Sequence, residues 1–418
     1  MKVALVTTAP STVSEVGSCA HRLVPHLREH VEVETFVPPE SAGEEIAGVP
    51  SRSVRELRPQ AFDRILYALG NERAHAFMLP LIRRFGGTVA LNDWVLHELA
   101  HAAHPALERG GARAFLAGLR EGGLAEARAL WAAPPGVPAI EGRVHLALNR
   151  SVVRLADAYL VPNGWMRRRI LEERNAATPI GVVPRPMVPE WREADRRETR
   201  TRLGLPPAFV EGFLVVSVGD VSDHKRIDAV LRGIARAHKS DPTVHFLLGG
   251  DLRTQRLDVP GLVRELSLAG AVRTIGRAEG ADMGDLIHAA DVCVHLRGPS
   301  MGGASKGVHE ALARGRGVLV SDLEENRELP EDCALRVPHG EAESAAVAAH
   351  LTALASDATR QSAQEAAARR FVSEECDPAR VARRTVECLE HSPAHRTNRK
   401  SILRSAIEAA DAARNRQS

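Results

Sequence analysis

A glycine-rich turn between an apolar strand and a helix is the segment of this chain best suited to chemistry. The apolar run at 292–296 reads as a buried strand, and a helical pattern follows the turn. The turn itself holds Gly302, Gly303, Ala304 and Ser305. Backbone N–H groups at 303–305 would point out of the helix start, where glycines let an anion come close. The turn therefore predicts a diphosphate site, and the alternative is a tight structural turn without a ligand.

Glu310 lies two turns along the helix that follows this turn. At that distance the carboxylate cannot touch the same phosphate. A carboxylate can, however, accept hydrogen bonds from the two neighbouring hydroxyls of a ribose. The alternative is an ordinary surface glutamate.

A second candidate for anion binding is the loop at 218–227, where another strand opens into a helix. We expect Lys225 and Arg226 in the first helical turn, where cations oppose the helix dipole. An anionic ligand would compensate that local cost. The alternative is a pair of solvated charges, with Arg226 bound to Asp223 or Asp228.

Polar side chains also follow two predicted strands of the N-terminal half. Asn71 and His75 follow the strand predicted at 64–68. The strand predicted at 88–91 is followed by Asn92, Asp93, Trp94 and His97. Open parallel sheets present their sites at the carboxyl ends of strands, so these side chains are site candidates. As alternatives, Asn71 and Asp93 would be helix N-caps, and the two histidines would be core residues with satisfied nitrogens.

Strands and helices alternate along most of the chain, which predicts an α/β fold with parallel, doubly wound sheets. The predicted strands are 3–7, 31–37, 64–68, 88–91 and 158–161, then 213–218, 244–248, 272–275, 292–296 and 317–321. Six prolines within 178–207 place a domain boundary near residue 190. We expect two such domains to face each other across a cleft.

Composition narrows the possible partners. Over 418 residues, 55 Lys and Arg nearly balance 53 Asp and Glu, so no nucleic acid is expected as a partner. Five scattered cysteines, with no signal peptide and no apolar run of 18 residues, predict a cytoplasmic location. An arginine-bearing helix predicted at 106–130 leaves membrane association open but unsupported, and a solvated face is favoured. A homodimer also stays open.

The motifs at 219–227, 290–312 and 317–330, in this order, resemble the family-four (group 1) retaining glycosyltransferases of GT-B fold. The resemblance covers most of residues 1–392. It implies an acceptor-binding Rossmann-like domain at 1–190 and a nucleotide-sugar-binding Rossmann-like domain at 191–377. A helix at 378–392 would return to the first domain, and 393–418 would be a basic tail.

The same resemblance assigns roles to single residues. Lys225 would hold the donor diphosphate beside Gly219, and Glu310 would hold the ribose. The other donor-binding residues implied are Ile275, Arg277, Arg297, Gly302, Gly303, Ala304 and Ser305. On the acceptor side they are Gly17, Asn71, His75, Asp93 and Trp94. The implied reaction is a retaining, metal-independent hexosyl transfer from a nucleotide diphosphate sugar, with no cofactor, to a glycan precursor or a small natural product.

The chain departs from the family pattern in the first loop, where only Gly17 of a glycine pair is kept, and at three further residues. Asp220 stands where the family has an arginine, so we expect Arg226 or Arg297 to supply the missing charge. Gly303 falls on a glutamate that usually contacts the sugar. Asn92 falls on a histidine near the reacting carbon, for which His97 is a substitute. The three further residues motivate an alternative function, a degenerate homologue that binds a nucleotide or a partner enzyme without catalysis.

Overall fold

The computed structural model describes residues 1–132, 146–191, 195–254, 257–276 and 282–395. They form two compact units. The first contains Met1–Pro186, the short segment Met301–Ala304 and the described residues from Pro378 onward. The second contains Met187–Ser300 and Ser305–Asp377.

The first unit is built on a seven-stranded sheet in the order β5-β2-β1-β6-β7-β8-β9, with all neighbours parallel. Its strands are β1 (Lys2–Val6), β2 (Glu32–Val37), β5 (Arg52–Ser53), β6 (Arg64–Leu69), β7 (Thr88–Leu91), β8 (Ala158–Val161) and β9 (Ile180–Val182). A separate antiparallel pair consists of β3 (Glu45–Ile46) and β4 (Val49–Pro50).

The second unit is built on a six-stranded parallel sheet in the order β12-β11-β10-β13-β14-β15. Its strands are β10 (Phe213–Val218), β11 (Val244–Gly249), β12 (Val272–Ile275), β13 (Val292–His295), β14 (Val318–Ser321) and β15 (Ala334–Val337). The chain order reverses between β10 and β13. Such a switch point leaves a crevice beyond the carboxyl ends of the strands, where open α/β sheets bind ligands.

Both sheets are covered on both faces, which explains why their strands read as continuous apolar runs. Along β10, Leu214 and Val216 pack into one hydrophobic cluster, while Phe213 and Val215 pack into another. Alternate side chains of β1 and β6 are divided in the same way. Burial of each of these aliphatic and aromatic side chains contributes about 1.5–3 kcal/mol to the free energy of folding. The apolar runs therefore stabilise the two sheets.

The helices surround the sheets. In the first unit they are Glu15–Arg28, Met78–Phe85, His97–Ala103, Gly111–Glu121, Leu124–Ala132, Arg150–Leu155, Gly164–Glu173 and Pro378–His391. In the second unit they are Arg196–Arg202, Pro207–Glu211, Ile227–Ser240, Val259–Glu265, Met283–Ala289, Lys306–Ala313, Glu343–Ala355 and Ala358–Phe371, followed by a π-helical turn at Val372–Cys376. No helix in the described ranges is long and apolar enough to cross a membrane.

The predicted strands all occur, displaced by at most two residues at either end, and the α/β, doubly wound class is confirmed. The single helix predicted at 106–130 is wrong. The chain forms a short 3₁₀ turn and two helices, Gly111–Glu121 and Leu124–Ala132. Gly122 and Gly123 separate these two helices, and Gly123 has φ +113°, which a continuing helix cannot accommodate.

Candidate functional site

The switch point of the second unit brings two loops together. One follows β10 and the other follows β13, and the two strands are paired neighbours. The backbone N–H of Gly298 donates to the carbonyl of His224 at 2.9 Å, which ties the loops to each other. The two segments singled out by sequence as anion sites therefore meet at one edge of one sheet.

Lys225 is held close over the end of β10. It ends a short 3₁₀ turn, Asp223–Lys225, and its Nζ donates to the carbonyl of Val218 at 3.4 Å. Gly219 has φ +92°, and a Cβ there would lie 2.9 Å from Nζ. Glycine is therefore required at 219 both for its backbone conformation and for the position of the lysine.

The helix Lys306–Ala313 begins at the same edge. Its N-cap is Ser305, which is buried but whose hydroxyl does not cap the helix. His295, the last residue of β13, is also buried, and its ring lies so close to Gly307 that a Cβ there would sit 2.6 Å from Cε1. Within the described residues neither Ser305 Oγ nor His295 Nε2 has a hydrogen-bond partner. Two buried polar atoms that have no partner among the described residues thus lie beside a helix start.

His295 is uncharged at neutral pH. Burial lowers its pKa to about 3, and the positive charges of Lys225 and Arg297 lower it further in the same direction. A neutral imidazole adds a hydrogen-bonding atom without adding charge. His295 could be taken for a core residue from the sequence because it ends an apolar strand. The signal available in the sequence was a polar residue at the carboxyl end of a buried strand.

The lysine, the helix start and the two unpartnered atoms form an arrangement that suits an oxyanion. Helix amides and an ammonium group are the usual ligands of phosphates. An anion bound there would give buried polar atoms the hydrogen bonds that the protein does not supply.

Asp220 does not place an uncompensated negative charge at this edge. Its Oδ2 lies 3.1 Å from the Nε of Arg253, in the loop after β11. The loops carrying these two residues are joined by paired backbone bonds between Val221 and the segment at 251–253. Asp220 therefore has a cationic partner from another loop, and the same guanidinium also lies 3.8 Å from Asp251.

Arg226 differs from expectation in two respects. It lies before the helix Ile227–Ser240, as the N-cap with φ +53°, and not in its first turn. Its partner is neither Asp223 nor Asp228 but Glu343, with Nη2 2.6 Å from Oε2. This hydrogen bonding to Glu343 raises the pKa of Arg226. Because Glu343 is buried, the guanidinium is held in an ion pair within the unit.

Glu310 is buried rather than on the surface, one turn from Arg314, with which it forms an ion pair. Arg314 also contacts Glu190. Two carboxylates thus share one guanidinium, and Glu310 keeps a charge that is only partly neutralised. The sequence did not indicate this network.

The remaining donor-side candidates of the second unit are partly described. Ile275 is buried at the end of β12, and Arg277 lies outside the described residues. Arg297 is half-buried, its backbone N–H donates to Ser321 Oγ at 2.9 Å, and its charge reaches His295.

In the first unit, Asn71 and Asp93 form one hydrogen-bonded group. Asn71 Oδ1 accepts from the backbone N–H of Glu98 at 2.8 Å, so it caps the helix His97–Ala103. Asp93 Oδ2 in turn accepts from the backbone N–H of Asn71 at 3.0 Å. Asn71 is thus a helix cap, as the alternative proposed, but of a helix distant in sequence. Asn92 continues from β7, with its N–H bound to the carbonyl of Leu69.

Both candidate histidines of this unit are buried. His75 has partners on both ring nitrogens, Ser14 Oγ at 3.2 Å from Nε2 and the N–H of Gly70 at 3.0 Å from Nδ1. Burial lowers the pKa of His75, so the structure favours the alternative of a satisfied core histidine. His97 lies 3.4 Å from Glu98, and this contact is the main reason that the pKa of Glu98 falls to about 2.

The glycines and the tryptophan of the first unit are closely packed. A Cβ at Gly17 would lie 2.0 Å from Thr8 Oγ1, and one at Gly303 would lie 2.4 Å from Asp93 Oδ1. Gly302 has φ +75° and packs against Trp94, which is buried. The segment 301–304, including Ala304, belongs to this unit, whereas Ser305 belongs to the second. Gly303 leaves no room for a larger side chain beside Asp93.

Two doubly wound units, one with a phosphate-suited edge at its switch point, are the architecture of the GT-B fold. Residues 212–357 match the family model described as glycosyl transferases group 1. The matched part contains Lys225 and Glu310, and the match confirms the resemblance to group 1 glycosyltransferases that the sequence motifs indicated. No curated protein has a sequence that matches the chain.

Several solved structures share the fold. HepE of Anabaena, solved in complex with UDP-glucose, is 14% identical with a TM-score of 0.59, over 94% of this chain and 100% of that one. Sucrose-phosphate synthase of Thermosynechococcus elongatus is 15% identical with a TM-score of 0.59, over 94% and 98%. WaaG, a glycosyltransferase involved in lipopolysaccharide biosynthesis, is 13% identical with a TM-score of 0.55, over 91% and 98%. These similarities confirm the GT-B fold.

Proposed function

We propose that this protein transfers a hexosyl group from a nucleotide diphosphate sugar to an acceptor hydroxyl, with retention of anomeric configuration and without a metal ion. The observation that carries the proposal is a pair of buried atoms at the helix start beside Lys225, Ser305 Oγ and His295 Nε2, for which the described residues supply no hydrogen-bond partner. A diphosphate would bind to the helix amides and the ammonium group and would satisfy these atoms. The family match over residues 212–357 supports the same reaction class.

In the proposed reaction, the bond from the anomeric carbon to the diphosphate oxygen breaks and a bond to the acceptor oxygen forms on the same face. The acceptor proton passes to the departing diphosphate. Lys225 and the amides of the helix start would stabilise the charge that develops on that leaving group. Neutral His295 would hydrogen-bond to it, and Glu310 would accept hydrogen bonds from the ribose.

Asp220 has a cationic partner at this edge, which reduces its repulsion of a diphosphate ligand. Arg253 offsets the negative charge of Asp220, the departure that motivated the alternative of a homologue without catalysis. The alternative also rests on Gly303 and Asn92, and donor turnover by the purified protein tests it.

Turnover of a donor tests the proposal. UDP-glucose, the ligand bound to HepE in its solved structure, is the first donor to try, and release of UDP with and without candidate acceptors is the readout. We expect Lys225→Ala to lower kcat at least about a hundredfold, by analogy with the loss of one preorganised oxyanion donor. Lys239→Ala, on the exposed end of the helix Ile227–Ser240, is the matched control and should retain activity. Full activity of Lys225→Ala would overturn the proposal.

A further inference from the structure

A polar cavity lies at the edge of the second unit's sheet opposite the loops around Lys225. Its volume is about 630 Å³. Among its lining residues, Gly212 comes directly before β10, Thr243 before β11 and Asp291 before β13. Because all strands of this sheet are parallel, residues that precede them lie at the amino edge, away from the loops around Lys225.

Four arginines in this cavity share two carboxylates. Asp291 lies 2.9 Å from Arg196 and 2.7 Å from Arg200. Glu365 contacts Arg196 as well as Arg316 at 3.3 Å and Arg369 at 3.9 Å. Four positive charges against two negative charges leave this group at +2.

The other charged groups of the described lining reduce this excess to +1 but do not remove it. Arg197 is paired with Glu211 at 2.6 Å, and Asp195 uses its carboxylate as the N-cap of the helix Arg196–Arg202. The lining as a whole has five arginines and four carboxylates, so its net charge is +1.

Arg316 has donor capacity that the described residues do not use. The residue is 4% exposed, and its Nε has no hydrogen-bond partner in the described parts of the chain. Its Nη2 donates to the carbonyl of His288 at 2.9 Å. Burial lowers the pKa of Arg316 to about 10, and the charge of Arg196 acts in the same direction. A guanidinium in such surroundings attracts an anion.

We propose that this cavity binds a phosphoryl group, as inorganic phosphate or as the phosphate of a small organic molecule. Guanidinium groups present paired N–H donors that match phosphate oxygens, and convergent arginines are typical of such sites. Three of the arginines come from different elements. Arg196 belongs to the helix Arg196–Arg202, Arg316 to the turn before β14, and Arg369 to the helix Ala358–Phe371. A bound phosphate would hold these elements together and stabilise the native unit.

The test is thermal unfolding of the full chain titrated with sodium phosphate, or with glucose 1-phosphate, against sodium chloride of equal ionic strength. We expect a saturable rise in Tm, since a ligand that binds only the native state stabilises it. Arg369→Gln should weaken the response at least about threefold, as expected for loss of one charge-assisted contact. Arg370→Gln is the control, because this neighbour on the same helix pairs with Asp332 outside the cavity. Tighter binding of the sugar phosphate would assign the ligand as organic.

Lys225→Ala separates this cavity from the donor edge. The phosphate response should persist in that variant, whether or not the variant transfers sugar. A response lost in Lys225→Ala but kept in Arg369→Gln would place the phosphate at the donor edge and overturn the proposal. Equal responses of Arg369→Gln and Arg370→Gln, or no saturable rise beyond that of sodium chloride, would overturn it as well.

Discussion

The guanidinium of Arg253 lies 3.1 Å from the carboxylate of Asp220. Asp220 lies in the loop that follows β10 and contains Lys225. The two residues come from loops that follow neighbouring strands, β10 and β11. This ion pair lets an acidic residue stand beside a site for an anion.

Removing the arginine should weaken donor binding. In Arg253→Ala the charge of Asp220 would act on the diphosphate unopposed, and we expect the donor KM to rise about fivefold, corresponding to about 1 kcal/mol. The double variant Asp220→Asn, Arg253→Ala should return close to the original KM. Steady-state kinetics with varied donor measure both. Arg236→Ala, exposed on the helix Ile227–Ser240, controls for loss of any surface arginine, and an equal rise there would argue against the pair.

Gly307 should not tolerate a methyl group. Alanine is favoured over glycine in helices by about 1 kcal/mol, but a Cβ at 307 would lie 2.6 Å from the ring of His295. We expect Gly307→Ala to lower the free energy of unfolding by about 1–3 kcal/mol, measured by urea denaturation. Gly270→Ala, where a Cβ meets nothing within 4 Å, should change it by less than about 0.5 kcal/mol.

The double variant His295→Ala, Gly307→Ala isolates this contact. Removing the ring should relieve the clash, so the double variant should be more stable than the sum of the two single changes indicates. Strict additivity would show that the ring and residue 307 do not meet.

His295 should make the protein sensitive to acid. Its pKa is about 3 in the folded chain and near 6.5 in the unfolded chain, so the unfolded state binds the proton more readily. Its contribution to stability is therefore complete above pH 6.5, declines as the pH falls, and is lost once the pH passes the folded pKa. Between pH 6 and pH 4 we expect the parent protein to lose about 1.4 kcal/mol per pH unit more than His295→Gln. Urea denaturation at several pH values measures the difference, and parallel pH profiles would refute the assignment.

Glu310 should recognise the ribose of the donor by accepting hydrogen bonds from its hydroxyls. The parent protein should bind UDP more tightly than 2′-deoxy-UDP, and Glu310→Gln should reduce that preference, because a neutral amide accepts hydrogen bonds more weakly than a carboxylate. The ratio of the two affinities cancels any general loss of stability from disturbing the pair with Arg314. Glu331→Gln, an exposed site, is the control. An unchanged ratio in Glu310→Gln would assign Glu310 a structural role alone.

The features that the sequence predicted, the strands and the two loops of the candidate site, each depend on a short segment of the chain. Apolar runs of four to seven residues located the strands, since both faces of each sheet are buried. The glycine-rich turn after β13 and the loop after β10 were found for the same local reason, and the sheet order brought them together.

What the sequence did not predict depends on residues far apart in the chain. Glu343 pairs with Arg226 across 117 positions, and Arg253 reaches Asp220 from another loop. No local pattern marks such partners. His295 was missed for a different reason, because an apolar strand ending in histidine resembles core, and only the tertiary packing beside Lys225 makes its nitrogen notable.

The central claim is that the carboxyl edge of the second unit's sheet binds a diphosphate. Calorimetric titration with UDP and with uridine, on the parent protein, Lys225→Ala and Lys239→Ala, tests it most directly. We predict that the parent and Lys239→Ala bind UDP at least about tenfold more tightly than uridine, and that Lys225→Ala loses most of this difference, since a charge-assisted contact to phosphate is removed. Equal affinities for UDP and uridine in the parent protein, or an undiminished preference in Lys225→Ala, would contradict the claim.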